Sequence, residues 1–513
     1  MPYEDLKALA GYTKKVLTAS DMSAIEENAR WLGVDSTFLM ENAASAISDF
    51  VNEKFSNKKN ILIVCGRGNN GGDGAAAARH LSQCHDVSIV LLGNVDQVRQ
   101  FPASANWKIL EKMHSVKMIE DPYSDYLEQL IKKSELVLDA IVGTGFRGKL
   151  EGVNLKAVET INRLKNKYKY KILSVDLPSG LDSTNRQMVD ADFVVTFHKL
   201  KEGLVKNGRT VVKNIGIPVD AELMCGPGEL KTAARIRKLY GGKRDSGYVL
   251  IIGGSGEYHG APALASNAAY NLLASLRTGA GYAKVYVPES VKDAVRKVSP
   301  NTIVRSFGDE SFTDQSVRII EREMSRANAV VLGMGIGRSK ETLDAVRETI
   351  NIAHRLGKKL VVDADAIYAV DKKAKTSGSM ILTPQDNEMN WLLSGKPSDN
   401  LSERALEVAN LSKKLRCSIL FKGHTTIISN GELIKINFSE SSALATMGTG
   451  DVLSGIVGGY AATGSGIFES GVAGAHLHSS IGDSLAREKG THIIASDVVE
   501  KIPEAIKAFD VEM

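Results

Sequence analysis

Ile61-Leu62-Ile63-Val64-Cys65-Gly66-Arg67-Gly68-Asn69-Asn70-Gly71-Gly72-Asp73-Gly74 leads directly into Ala75–Leu81. An apolar run, a glycine loop and an alanine-rich helical stretch make the strand–loop–helix unit from which doubly wound parallel sheets are built. The loop leaves bare backbone amides at a helix N-terminus, where unpaired N–H groups and the positive dipole end attract anions. A second, unlike loop, Gly448-Thr449-Gly450-Asp451, opens onto Val452-Leu453-Ser454-Gly455-Ile456-Val457. Each carries an aspartate where a simple phosphate cradle would avoid negative charge. That conflict argues for chemistry rather than phosphate holding, and its recurrence predicts two active sites on one chain.

Outward from the first loop, strand-like runs recur at Val87–Leu92, Leu136–Val142, Ile172–Asp176 and Phe193–Phe197, with helical patterns between most of them. Upstream, Ser20 and Ser36 are candidate caps for two amphipathic helices, one carrying Met22, Ile25, Ala29 and Leu32, the other Leu39, Ala43, Ile47 and Phe50. A second alternating series runs through Tyr248–Ile252, Lys284–Val287, Ala329–Gly333, Leu360–Asp363, Met380–Thr383 and Ser418–Phe421. Asn430-Gly431, between Thr425–Ser429 and Leu433–Asn437, is a hairpin turn signal. Three Gly- and Ala-rich helices are expected from Asp451 onward. The halves do not repeat one another. The expected division is residues 1–225, a linker over 226–240 with Cys225-Gly226-Pro227-Gly228 as the break, and 241–513.

At 513 residues the chain exceeds one ordinary core. A net charge of +4 is no nucleic-acid footprint, and no run reaches the roughly 18 apolar residues of a membrane helix. Nucleic-acid and membrane partners are therefore not expected. Cys65, Cys84, Cys225 and Cys417 show no C-x-x-C spacing, which with the lack of a signal-like N-terminus predicts reduced thiols and a cytoplasmic protein. A homo-oligomer is expected, although no residue pattern sets its subunit number.

Gly66-x-Gly68-x-x-Gly71 after a strand matches a dinucleotide fingerprint, but Gly93-Asn94 stands where an acidic residue would close the second strand. This disfavours an ordinary NAD oxidoreductase. Asp139 and Asp176 close two further strands, followed by Gly143–Gly148 and by Leu177-Pro178-Ser179-Gly180. Ligands of open α/β sheets sit at the carboxyl ends of strands, so Asp73, Asp139 and Asp176 are candidates to converge. The blander reading makes each a helix cap or turn residue.

Leu39-Met40-Glu41-Asn42-Ala43, Gly68–Gly74, Asp139–Gly148, Val175–Asp182 and Thr196-Phe197 with Lys201 and Gly203 resemble the NAD(P)HX epimerase domain, over about residues 18 to 220. The resemblance implies a Rossmann-like fold and a hydrated nicotinamide cofactor as ligand. Substrate contacts are implied at Asn69, Asn70, Gly71, Gly72 and Asp73, at Gly143-Thr144-Gly145-Phe146-Arg147-Gly148-Lys149, and at Asp176. It also implies a potassium ion at Asn70, Asp139 and Ser179. The family's Pro-Lys-x-Gly segment reads Leu200-Lys201-Glu202-Gly203 here, without the proline. Epimerising a hydroxyl-bearing carbon beside a ring nitrogen needs a proton moved at each step, and Asp176 is the expected acid–base group.

At the second loop, Asp451 stands where it can take a proton from a hydroxyl attacking a phosphate; the alternative is an N-cap for Val452–Ala462. Around it, Gly253-Gly254-Ser255, Gly260-Ala261-Pro262-Ala263, Arg277-Thr278-Gly279-Ala280-Gly281, Gly333-Met334-Gly335-Ile336-Gly337, Asp363-Ala364-Asp365-Ala366, Lys422-Gly423 and Ala475-His476-Leu477-His478 resemble the ribokinase-like NAD(P)HX dehydratase domain. This implies an α/β/α fold from about residue 235 and a reaction in which a nucleotide phosphorylates the substrate hydroxyl before phosphate is eliminated. Ala263, Gly335, Gln385, Glu388 and Asp451 are the implied substrate contacts, with Glu388 a candidate for organising magnesium. ADP, converted to AMP and phosphate, is the implied co-substrate, held by Lys422, Gly423, His424, Thr425, Thr426, Thr446, Gly448, Thr449 and Gly450. Gln385 stands where the family usually has histidine. His476 and His478, two apart on a helix, cannot share a metal face and are expected in packing or hydrogen bonding. The combined expectation is a bifunctional enzyme that epimerises (R)- and (S)-NAD(P)HX and dehydrates the S form. Its alternatives are a small-molecule kinase with an N-terminal nucleotide-binding module, and a chain whose first half is a non-catalytic binding module.

Overall fold

The computed structural model describes residues 3–181, 183–185, 187–233, 242, 245–255, 270–308, 310–372 and 378–509. The chain forms two compact units, residues 14–218 and residues 1–13 with 219–513.

In the unit of residues 14–218, a short parallel pair joins β1 (Val16–Leu17) to β8 (Leu200–Lys201). The main sheet contains β2 (Asn60–Cys65), β3 (Asp86–Leu91), β4 (Val116–Glu120), β5 (Leu136–Ala140), β6 (Lys171–Val175), β7 (Phe193–Phe197) and β9 (Thr210–Lys213). Its order is β4-β3-β2-β5-β6-β7-β9, with every ladder parallel. Strand order reverses between β2 and β5, so the loops after these strands splay apart into a ligand crevice. The helix Asn69–Leu81 follows β2 closely. A Cβ on Gly71 would meet Gly66 O at 1.9 Å, and one on Gly74 would meet Cys65 Sγ at 2.7 Å. The glycines thus permit helix and strand to approach. The helix expected after Ser20 is Ala19–Trp31, capped by Thr18 in a reciprocal box with Asp21, and Asp35 caps Ser36–Lys54 in place of Ser36.

The larger unit holds β10 (Tyr248–Ile252), β11 (Tyr282–Val287), β12 (Val304–Ser306), β13 (Ala329–Leu332), β14 (Lys359–Val362), β15 (Met380–Leu382), β16 (Ser418–Phe421), β17 (Thr425–Ser429) and β18 (Ile434–Phe438). They run in the order β12-β11-β10-β13-β14-β15-β16-β17-β18, parallel except for the final two antiparallel pairings. Alternation along the strands feeds two cores: Leu250, Ile252, Val330, Leu332 and Val362 face one, and Val249, Ile251, Val331 and Val361 the other. The Gly- and Ala-rich helices are Thr449–Ala462, Ile467–Lys489 and Ala495–Ile506.

The division differs from the expected 1–225, 226–240 and 241–513. Residues 1–13 group with the later unit, because Leu9 is buried in a core that also holds Leu223. Pro227–Ala233 is a helix rather than linker, and Leu230 and Ala233, three apart, put one face into the core. The proline read as a break stands at the first helical position, where its missing N–H costs nothing.

Candidate active sites

In the first unit, the ends of β5 and β6 and the turn after β2 make one polar pocket. Asp139, fully buried at the end of β5, accepts hydrogen bonds from Ser179 Oγ (2.5 Å), Ser179 N (2.8 Å) and Ser174 Oγ (2.7 Å). Burial nevertheless pushes its pKa up, because no cation stands among these partners. Val142 N donates to Ser179 Oγ at 2.9 Å. The next residue, Gly143, lies against the Asn70 side chain, since a Cβ there would be 3.0 Å from Asn70 Oδ1. Among the described residues, both polar atoms of the Asn70 amide are buried without a hydrogen-bond partner, an arrangement costly enough to call for one. Asp139 Oδ1 also accepts from Ile141 N at 3.4 Å, so the carboxylate joins its own strand end to Ser174 and Ser179.

Asp176, one residue beyond β6, has φ +64°, a conformation in which non-glycine residues are strained. Its carboxylate pairs with Lys201 Nζ at 3.2 Å and accepts from Thr196 Oγ at 3.1 Å and from Thr144 Oγ. Burial alone would raise its pKa, but Lys201, Thr144 and Thr196 together hold it below the usual carboxylate value. Lys201 is buried, and its ammonium also donates to Phe197 O at 2.6 Å. Asp73 is the reverse case. Burial, then the negative charges of Asp176 and Glu26, push its pKa well up. Of the loop expected to bind substrate, Thr144 reaches Asp176, whereas Gly145 and Arg147 through Lys149 are exposed and Phe146 is half-buried. Asn69 is exposed at the helix start, with Gly71 and Gly72 buried behind it.

In the second unit, Gly448 caps the helix Thr449–Ala462 with φ +89°, a left-handed conformation that glycine adopts without strain. Asp451 is the third helical residue and therefore not the N-cap. Lys422, just beyond β16, brings Nζ to 3.4 Å and Gln385 brings Nε2 to 3.7 Å from where a Gly450 Cβ would be. Two donors thus converge on a bare helix N-terminus. Lys422 is anchored by Asp363 Oδ1 at 2.7 Å, and Asp363 Oδ2 accepts from Ser454 Oγ at 2.5 Å. Burial, with the charge of Asp363 added and Lys422 opposing, raises the Asp451 pKa to about 7. Glu388 accepts a hydrogen bond from Gln385 N, closing a capping box, and burial raises its pKa.

Gly335, φ +60°, lies in the loop after β13, and the neighbouring Met334 O accepts from Gly254 N at 2.8 Å, across the strand-order reversal. Gly423 and His424 are exposed in the turn from β16 into β17, where Thr425 begins the strand and Thr426 Oγ donates to Gly423 O at 3.1 Å. Thr449 Oγ donates to Thr446 O at 2.8 Å, tightening the loop. Gly260–Ala263, including the expected contact Ala263, and Asp182 lie outside the described residues. His476 and His478 have pKa values lowered to about 4 by burial, so both are neutral at pH 7. Sequence reasoning gave no role to Asp363, Ser454 or Ser174. Asp363 was detectable by the strand-end rule that singled out Asp139 and Asp176.

Among the described residues, no group of three or more His, Cys, Asp or Glu is arranged to hold a metal, and no helix is long and apolar enough to cross a membrane.

Two α/β units, each with a carboxylate at the carboxyl edge of its sheet and a helix N-terminus beside it, define a two-site enzyme with phosphate-binding features in the second unit. The family described as NAD(P)H-hydrate dehydratase matches residues 249–504, and that described as YjeF-related protein N-terminus matches residues 36–203. The bifunctional NAD(P)H-hydrate repair enzyme Nnr of Pyrobaculum aerophilum is 36% identical over 512 residues, covering 97% of this chain and 99% of its own. The enzyme of the same name from Methanothermobacter thermautotrophicus is 33% identical, covering 96% and 95%. The chain belongs to the bifunctional NAD(P)H-hydrate repair enzyme family. Among solved structures, an ADP/ATP-dependent NAD(P)H-hydrate dehydratase from Bacillus subtilis, co-crystallised with ATP and Mg2+, aligns with a TM-score of 0.47 at 20% identity, covering 56% of this chain and 99% of that one.

Proposed function

We propose that residues 14–218 interconvert the epimers of hydrated NADH and NADPH, and that residues 219–513 dehydrate the S epimer at the expense of a nucleotide phosphate. The observation that carries the second half is the convergence of Lys422 Nζ and Gln385 Nε2 on Gly450, one residue from Asp451. Asp451 takes the proton from the substrate hydroxyl as its oxygen attacks the terminal phosphate of ADP or ATP. Lys422 and the amides of Gly448–Gly450 hold the transferred phosphoryl group, which then leaves with the substrate oxygen as the ring-nitrogen lone pair forms C=N; loss of a proton from the adjacent ring carbon to solvent re-forms the ring double bond. A bound magnesium ion would supply positive charge to neutralise the nucleotide phosphates. Glu388 is the carboxylate available to it, and binding through few protein ligands suits this ion. Gln385 contributes a neutral hydrogen bond in place of an ionisable ring.

In the first unit, Asp176 is an acid–base group of the epimerisation and Lys201 keeps it ionised. The donors Asn70, Asp139 and Ser179 suit a hard monovalent cation such as potassium: an orphaned buried amide, a buried carboxylate without a counter-charge, and a hydroxyl. Asn70, Asp139 and Ser179 would hold the ion, whose charge would offset that of Asp139 beside the Asn69–Asp73 turn. The test is to incubate the pure protein with mixed epimers of hydrated NADH, magnesium, and ADP or ATP, and to follow reduced-nicotinamide absorbance. Full recovery with a nucleotide and none without it is expected. A phosphorylated product that persists would instead identify a small-molecule kinase.

A further inference from the structure

Asn70 and Asp73, three apart on the helix Asn69–Leu81, share one face of its first turns. The Asn70 amide lies against Gly143, and the next residue, Thr144, donates through both its backbone N (3.4 Å) and its hydroxyl to Asp176 Oδ2. The helix face bearing Asp73 and the strand end bearing Asp176 therefore border the same pocket. Their surroundings are opposite. Asp176 is held by an ammonium and two hydroxyls, whereas the Asp73 carboxyl has no hydrogen-bonding or cationic partner among the groups that set its protonation. The ionisable groups facing Asp73 are Asp176, Glu26 from the helix Ala19–Trp31 and the buried thiol of Cys65 from β2, all acidic.

We infer that Asp73 is a second catalytic carboxylate of the first site, the proton donor to the departing hydroxyl, while Asp176 is the proton acceptor for the water that re-adds. Two carboxyl groups whose surroundings separate their protonation states are the usual means of providing an acid and a base together. Asp73 gives its proton to the hydroxyl oxygen as the C–O bond breaks. The ring-nitrogen lone pair forms the C=N bond, and water leaves. A water on the opposite face of the ring then adds to that carbon, its proton passes to Asp176, and the C=N electrons return to nitrogen. One proton passing back from Asp176 to Asp73 through solvent restores the starting state, so atoms and charge balance. Burial and the neighbouring negative charges favour the protonated Asp73 that this requires.

The inference rests on the epimerase reading, and the test separates their failures. Rates of approach to epimer equilibrium, corrected for the uncatalysed rate, are measured against pH for wild-type, Asp73→Asn and Asp176→Asn proteins, with KM and thermal midpoints recorded for each. The wild type should lose activity at low pH as Asp176 is protonated, and at high pH as Asp73 ionises. Asp73→Asn should lower kcat about 10²–10⁴-fold with KM changed only a few-fold, and abolish the high-pH limb; Asp176→Asn should abolish the low-pH limb. An Asp73→Glu variant that restores part of kcat and the high-pH limb would agree with proton donation. An Asp73→Asn protein that keeps its kcat, keeps its high-pH limb or changes only in KM would overturn the acid role. A wild-type protein with no epimerisation above the blank would instead overturn the epimerase reading itself.

Discussion

Each site has a lysine, but the two lysines serve different aspartates. In the first unit Lys201 pairs with Asp176, the strand-end carboxylate, and holds its pKa down. In the second, Lys422 pairs with Asp363, leaving Asp451 to be raised to about 7 by burial and by the charge of Asp363. A buried carboxylate thus acquires opposite protonation behaviour according to which acidic group takes the neighbouring ammonium. In the proposed function the lysine at the second loop meets phosphate, whereas the lysine at the first keeps the proposed base charged.

The comparison is broken most severely by removing the proposed base of the second site. Asp451→Asn should lower nucleotide-driven dehydration by about 10²–10⁴-fold, while epimer exchange, followed separately, continues. A dehydration rate near wild type with normal nucleotide binding would remove Asp451 from the base role.

Exchanging the lysines sharpens the contrast. Lys201→Met leaves Asp176 buried without its cation, so the variant should lose about 3–5 kcal/mol of stability in denaturant titrations. Asp176 should then titrate upward. Lys422→Met should chiefly weaken nucleotide binding, read as a raised KM for ADP or ATP. Equal effects of both changes on nucleotide KM would remove the distinction.

The sign of the pH dependence differs as well. The proposed base Asp451 would act in its ionised form, and its folded pKa is raised to about 7, so dehydration should rise as pH increases through about 7 and fall below it. The same shift predicts that folding stability contributed by Asp451 is greatest at acid pH, below the unfolded value, and is lost as pH rises through about 7. Asp451→Asn should therefore raise the thermal midpoint at pH 8 more than at pH 5. A dehydration profile flat from pH 6 to 8 would contradict the assignment.

Potassium should give a smaller effect, confined to the first unit. A cation bound at the proposed site of Asn70, Asp139 and Ser179 would stabilise the folded state by about 2.7 kcal/mol at a hundredfold excess over its Kd. Asn70→Ala should remove the difference between potassium and lithium in thermal midpoint and in epimerisation rate. An equal response of the variant and the wild type to potassium would place the ion elsewhere.

Much of this was legible because the signals are local. Gly66–Gly74 follows strand β2 directly and joins a turn to a helix start, Gly448–Asp451 joins a turn to a helix start, and the continuous apolar runs of the two halves include the central strands β2, β5, β10 and β13. The less apolar strands β4, β9 and β12 were not read, because their patterns are short and mixed: Val116-Lys117-Met118-Ile119-Glu120 alternates weakly, and Val304–Ser306 has three residues. The helix caps shifted by one or two residues, since Thr18, Asp21 and Asp35 compete with Ser20 and Ser36 for the same role. The anchoring of Lys422 by Asp363 and of Asp176 by Thr144 joins residues tens of positions apart, which no local period encodes. The grouping of Leu9 with Leu223 was hidden for the same reason.

The central claim is that two separate sites act in sequence on one damaged cofactor, and the most direct measurement is the progress curve of Asp176→Asn with mixed epimers, magnesium and nucleotide. The account predicts fast recovery of reduced nicotinamide only up to the fraction present as the usable epimer, then a slow rise limited by epimer exchange about 10²–10⁴-fold below the wild-type rate. Recovery to completion at the wild-type rate would show that Asp176 is not needed for epimerisation and would contradict the account.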